Sequence, residues 1–186
     1  MALQIPLDDI AERCGSSEDA TFVRQWPGEH YRLLAALVSV RDARKVIDIG
    51  TYAGLSALAL GASGARVTTF DVVPWVEFDA SCLVDSDFAE GLEQRIGDLS
   101  EPSFFEAHAE TLSAADVIFI DGPKDGNFEW RLAEQLIPLL KGRGTLLVWD
   151  DIRLMNMVGF WNWLPIPKLD ATSLGHWSGT GIALVD

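Results

Sequence analysis

Apolar residues along this chain follow two rhythms that alternate from residue 29 to the C-terminus. Short, nearly continuous apolar runs at 45–49, 66–70, 117–120, 145–149 and 181–185, with a weaker one at 94–96, predict strands. Because successive residues are apolar, rather than every second one, these strands are expected to be parallel and covered on both faces. Between them, segments 29–40, 55–60, 77–92, 103–112 and 128–140 space their apolar residues three and four apart, which predicts helices. Strand and helix in strict alternation are the signature of βαβ units, so the fold class is α/β. Pro138 predicts a kink near the end of the last helix, before Lys141-Gly142-Arg143-Gly144 turns the chain into the next strand. From 152 to 177, prolines and aromatic residues interrupt any clean period.

Composition narrows the reading. A chain of 186 residues with 48% hydrophobic content forms one buried core and is too short for two comfortable domains, so a single domain over 1–186 is expected. Seven Trp exclude a disordered chain. The longest apolar stretches, 33–40 and 55–60, fall far short of the roughly 20 residues needed to cross a bilayer. The N-terminus carries no basic region followed by an apolar run and a small-residue cleavage site, so a cytoplasmic location is expected. In that reducing compartment Cys14 and Cys82 are expected to be unbridged. A net charge of −14 repels phosphate backbones and anionic lipid surfaces, which disfavours nucleic acid and membrane partners.

The chemistry concentrates in two places, the first being VIDIGTYAGLSALAL. A buried strand passes through Asp48-Ile49-Gly50-Thr51-Tyr52-Ala53-Gly54 into an apolar helix. Glycines here allow close ligand approach, and the helix start offers unpaired N–H groups. A dinucleotide fold wants G-x-G-x-x-G at this point, but Tyr52 occupies the second glycine's place. The D-x-G-x-x-x-G pattern instead resembles motif I of class I S-adenosylmethionine-dependent methyltransferases, and GTYAGLSALAL is similar to the O-methyltransferase branch that includes catechol O-methyltransferase. That resemblance, which spans about residues 45–152, implies a three-layer α/β/α domain with a mostly parallel Rossmann-like sheet and an antiparallel C-terminal strand. It implies S-adenosylmethionine as cofactor, held by Asp48, Gly50, Thr51, Tyr52 and Gly54, by Asp71 on the ribose hydroxyls, and by Asp98 and Asp121. Residues 1–44 correspond to a helical cap and 152–186 to an aromatic-rich C-terminal segment.

The second place gathers acids. IFIDGPKDGNFEW and LLVWDDI put Asp121, Asp150 and Asp151 just beyond the carboxyl ends of neighbouring strands, where open α/β sheets bind ligands. Three carboxylates there repel one another unless protonated, solvated or bound to a cation, and oxygen-only donors favour Mg²⁺ or another hard divalent ion. In the cation-dependent relatives the pattern is a strand-end Asp, a Lys three positions on, and Asp-Asn closing the next strand. Asp121, Lys124 and Asp150 match it, and Asp151 stands where those relatives have Asn. The resemblance implies Lys124, with Asp121, as the group that removes the acceptor's proton. For the acceptor side, Trp161 and Trp163 offer flat apolar surface, His176 lies among glycines in GHWSGTG, and Trp26 forms an opposite lip by analogy with the family.

The expected activity is methyl transfer to a hydroxyl oxygen of a small aromatic or apolar molecule, assisted by a divalent cation, with room for a homo-oligomer. Two other readings compete with it: a non-catalytic module that binds the same cofactor, and an NAD-dependent oxidoreductase that shares Asp71 but not the glycine spacing. The residues leave open whether the acceptor atom is oxygen or nitrogen.

Overall fold

Val, Ile, Leu and Phe dominate the central strands because both of their faces are covered: every residue of Val117–Ile120 and of Thr145–Asp150 is buried. The computed structural model describes residues 2–14, 23 and 29–186. Its strands are β1 (Lys45–Ile49), β2 (Arg66–Asp71), β3 (Leu92–Ile96), β4 (Val117–Ile120), β5 (Thr145–Asp150), β6 (Lys168–Asp170) and β7 (Thr180–Val185). They form one sheet in the order β3-β2-β1-β4-β5-β7-β6. The first five are parallel, and β7 runs antiparallel to both β5 and β6.

The α-helices are α1 (Asp8–Arg13), α2 (Glu29–Val40), α3 (Leu55–Gly61), α4 (Asp85–Ala89), α5 (Pro102–Ala107), α6 (Ala109–Ser113), α7 (Asn127–Leu140) and α8 (Met155–Trp163), with 3₁₀ turns at Ala2–Gln4, Trp75–Glu77 and Thr172–Leu174. Two apolar clusters lie on opposite faces of the sheet. On one, Leu34 and Val38 of α2 and Ala57 and Leu60 of α3 meet Val46, Val67, Val117 and Val148. On the other, Phe105, Leu112, Leu132, Leu136 and Phe160 from α5 to α8 meet Ile47, Ile49, Ile118, Ile120, Leu147 and Trp149. Alternate residues of each strand feed alternate faces, which is the three-layer arrangement.

Several expectations are corrected. Segment 77–92 is not one helix: a 3₁₀ turn at Trp75–Glu77 precedes the short α4, and Leu92 already opens β3. Tertiary contacts override its helical period, because the Cys82 N–H donates to Ala53 O at 2.8 Å and draws this stretch onto the loop after β1. Segment 103–112 is two helices divided at His108. The aperiodic stretch after residue 152 contains α8 and the three-residue edge strand β6, both missing from the periodicity.

Cys14 and Cys82, expected to be unbridged, form a disulfide across 68 residues of sequence. The cause is packing: Leu7, Ile10 and Ala11 around α1 bury against Leu55 and Ala59 of α3, carrying Cys14 to within a Cα–Cα distance of 5.0 Å of Cys82. No helix among the described residues is long and apolar enough to cross a membrane.

Candidate active site

Strand register builds the site. Ile49 pairs with Phe70 and with Ile120, and Ile120 pairs with Trp149. The next residues along these four strands, Gly50, Asp71, Asp121 and Asp150, therefore stand in a row along the carboxyl edge of the sheet. Because β7 is antiparallel, Asp150 pairs with Thr180 at its start, and the loop that precedes β7 delivers His176 and Ser178 to the same edge. The first residues of α2 bring His30 there from the covering layer, 3.4 Å from Thr180 Oγ1.

One half of this row is a cleft of about 340 Å³, bordered by Gly50, Tyr52, Asp71, Asp98, Leu99, Asp121 and Phe128. Gly50 has φ 107°, and a Cβ on it would collide with the carbonyl oxygen of Asp121, so the turn requires glycine on two counts. Tyr52 also has a positive φ, and its N–H donates to Asp71 Oδ2 at 3.0 Å while the Val73 N–H donates to Oδ1 at 3.0 Å. These bonds hold the Asp71 carboxylate against the loop. Three residues expected to touch the cofactor do not border the cleft. Asp48 is fully buried beneath the loop and accepts a 2.8 Å bond from Thr69 Oγ1. The Thr51 hydroxyl is buried beside it, 2.7 Å from Thr69 Oγ1, and Gly54 sits at the start of α3 against Leu83. They shape the loop from below. Burial pushes the Asp48 carboxyl up to about 7, Thr69 and Ser56 pulling the other way.

The other half is a cavity of about 260 Å³ that also borders Asp121 and adds His30, Tyr31, Asp150, His176 and Trp177. The expected acids do converge, Asp121, Asp150 and Asp151 each placing an oxygen within 4.8 Å of the others. Lys124 already answers them: its ammonium contacts Asp121 Oδ1 and lies 3.0 Å from Asp151 Oδ2 and 3.8 Å from Asp150 Oδ2. Lys124 and Asp151 both have φ 56°, and the Lys124 N–H is held by Glu129 Oε1 at 3.0 Å.

Burial and the neighbouring Asp150 push the Asp121 carboxyl up to about 7 against the pull of Lys124. Burial would lower Lys124, but Asp121 and Asp150 outweigh it and raise it. This is opposite to the lowering that a general base needs, so deprotonation of Lys124 requires other positive charge among these carboxylates. Burial would raise Asp151, yet Lys124 and Ser178 hold it below the usual range. His176 is raised, because its hydrogen bond to Asp150 outweighs burial.

Of the residues expected to face the acceptor, His176 borders the second cavity, and Trp26 lies outside the described residues. Trp161 and Trp163 border neither cavity. Trp161 is core, its indole so close to Gly181 that a Cβ there would stand 2.6 Å from it, and Trp163 packs on Trp130 at 3.9 Å between ring centroids. Met157, Phe160 and Trp161 are the buried residues of α8, so packing takes up Trp161, while Trp163 remains partly exposed against α7. The aromatic residues at the cavity are Tyr31 and the two-thirds exposed Trp177. His30 and Ser178 were not legible as site residues, since they lie 148 residues apart and no local spacing joins them.

The methyltransferase-domain family matches residues 47–152 of this chain. Among solved structures, an O-methyltransferase from Bacillus cereus in complex with SAH is 23% identical, with a TM-score of 0.71 over 99% of this chain and 94% of that one. A methyltransferase from Geobacter sulfurreducens is 16% identical, with a TM-score of 0.67 over 98% and 91% of the two chains. The O-methyltransferase TomG from Streptomyces achromogenes, involved in tomaymycin synthesis and solved with SAM, is 18% identical, with a TM-score of 0.63 over 99% and 92%. No curated protein matches the chain in sequence.

Proposed function

Since this chain belongs to the methyltransferase-domain family, we propose that it transfers the methyl group of S-adenosylmethionine to a hydroxyl oxygen of a small molecule bound in the cavity beside His176. The observation that carries the reading is the position of Asp121, which borders both the cleft at the glycine loop and the second cavity, so that the two meet at one carboxylate. The cleft suits the cofactor: it joins apolar walls, Leu99 and Phe128, to two carboxylates, Asp71 and Asp98, that can accept hydroxyl or amine hydrogens. When bound, the cofactor supplies a methyl group activated by a sulfonium.

The chain's own residues then have three tasks. Asp71, oriented by two backbone N–H groups, holds the cofactor's hydroxyls. Tyr31, Trp177 and His176 hold the acceptor so that its oxygen lies in line with the methyl group, which is the main contribution a protein makes to such a transfer. Lys124 takes the hydroxyl proton at Nζ, with Asp121 beside it.

Asp121, Asp150 and Asp151 are the donor set for a divalent cation of the magnesium class, whose charge lowers the pKa of an acceptor hydroxyl and favours the neutral form of Lys124. A cation-independent reading is favoured by the ammonium of Lys124 already contacting this set. In that case Asp121, held near 7, takes the proton.

The test is methyl transfer from S-adenosylmethionine to a panel of phenols, catechols and aliphatic alcohols, with magnesium or with excess chelator. Turnover that needs magnesium supports the cation; equal turnover in chelator assigns the proton to Asp121. Cofactor binding without turnover of any acceptor would reduce the protein to a cofactor-binding module.

A further inference from the structure

His30, Asp150 and His176 form a second cluster at the carboxyl edge, which shares Asp150 with the acidic one and in which the methyl-transfer reading gives no task to His30. All three residues are more than nine-tenths buried, and one donor atom of each lies within 4.8 Å of the others. The imidazoles meet edge to face with centroids 4.5 Å apart. Asp150 divides its two oxygens between neighbours: Oδ2 faces Lys124 Nζ at 3.8 Å, whereas Oδ1 lies 2.5 Å from His176 Nε2. The carboxylate is thus shared between an acidic cluster that holds a lysine and the two histidines.

Both rings are anchored in the same way. His176 Nδ1 is 2.6 Å from Ser178 Oγ, and His30 Nδ1 is 3.4 Å from Thr180 Oγ1, so hydroxyls just before and at the start of β7 engage one nitrogen of each imidazole, while His176 Nε2 bonds to Asp150 Oδ1, a contact that a bound ion would replace. An outer-shell partner on the second nitrogen is how metal-binding histidines are normally oriented.

We propose that His30 and His176, with Asp150 Oδ1, bind a transition-metal ion of the zinc or cobalt class, at a place that shares only Asp150 with the carboxylate set of Asp121, Asp150 and Asp151. Imidazole donors select such ions over magnesium, which prefers oxygen and gives up its water reluctantly. Three protein donors leave the ion a free position, and the donors border the 260 Å³ cavity, so an oxygen of a small molecule there can complete the shell.

Co²⁺ titrated into the full chain, without cofactor or acceptor, tests this by its visible ligand-field absorption. One ion per chain is expected, with a spectrum that saturating Mg²⁺ leaves unchanged. His30→Asn and His176→Asn should each weaken Co²⁺ binding by about tenfold or more. His108→Asn, far from the cluster, and Asp151→Asn should leave binding as it is. Should either histidine variant fold poorly, X-ray absorption of Co²⁺-loaded wild-type protein still decides, two imidazoles in the shell being the expected result. A shell of oxygen alone, displacement by Mg²⁺, no binding by the wild type, or unchanged affinity in both histidine variants overturns the proposal. Because the readout needs no methyl transfer, its failure leaves the catalytic reading untouched.

Discussion

Asp48 and Asp71 lie at the carboxyl ends of neighbouring strands, one residue before the end of β1 and at the end of β2, but one is sealed under the glycine loop and the other borders the cleft. For Asp48, burial raises the folded-state pKa from 3.8 to about 7, so the folded chain holds a proton that the unfolded chain releases across that interval. Its contribution to stability is therefore complete below 3.8 and is lost as pH climbs through about 7. Urea unfolding of wild type and Asp48→Asn across this range should show the wild type losing up to about 4 kcal/mol relative to the variant. A difference that stays flat with pH would mean the carboxyl is not held neutral. For Asp71, substitution by alanine removes a charged acceptor, and SAH affinity should fall by about 1.5–3 kcal/mol in calorimetry. An unchanged affinity would take Asp71 out of the cofactor site. Lys124→Met should lower kcat by about 10²–10⁴ while SAH affinity holds, because Lys124 borders the acids and not the cofactor cleft. At this scale the strand-end acids were legible, since each closes an apolar run. Which of them faces a ligand was not, because depth below a loop leaves no mark on spacing.

The C-terminal elements show what periodicity loses. In α8 nearly every residue is apolar, so no stripe stands out, yet Met157, Phe160 and Trp161 are its buried residues. The aromatic run that resembled an acceptor platform is the seal over β5 and β7. Trp161→Ala should accordingly cost about 3–5 kcal/mol of stability and leave the acceptor KM unchanged. Trp177→Ala should do the reverse, raising KM with little change in melting temperature, since two-thirds of that side chain is exposed beside the cavity. If Trp161→Ala raised KM at unchanged stability, the two roles would be exchanged. At the other end, the disulfide ties α1 to the stretch before α4. Cys14→Ser should lower unfolding free energy by about 2–4 kcal/mol under non-reducing conditions, the usual contribution of such a closed loop. Sequence held no trace of this pairing, because 68 residues separate the partners and neither belongs to a local motif.

Across the whole molecule, the parallel sheet concentrates chemistry on one edge. Every parallel strand ends there, and the reversal of β7 starts a further loop at the same edge, so residues from 30 to 178 share one pair of cavities. Between residues 45 and 152 the strands and the acidic row were readable directly, although segments 77–92 and 103–112 were not: buried strands announce themselves as apolar runs, the glycine turn has a spacing that only a few ligands accept, and Asp121, Asp150 and Asp151 stand at the ends of strands with Lys124 three positions after the first. These are local relations, and a sequence records local relations faithfully. Tertiary structure alone decided the rest. The pairing of Asp150 with His176, the approach of His30, and the placing of one ammonium among three carboxylates depend on register between strands and on which helix covers which face. Those quantities are set by packing across the sheet, where partners distant along the chain meet, and no period or spacing within either partner encodes the meeting.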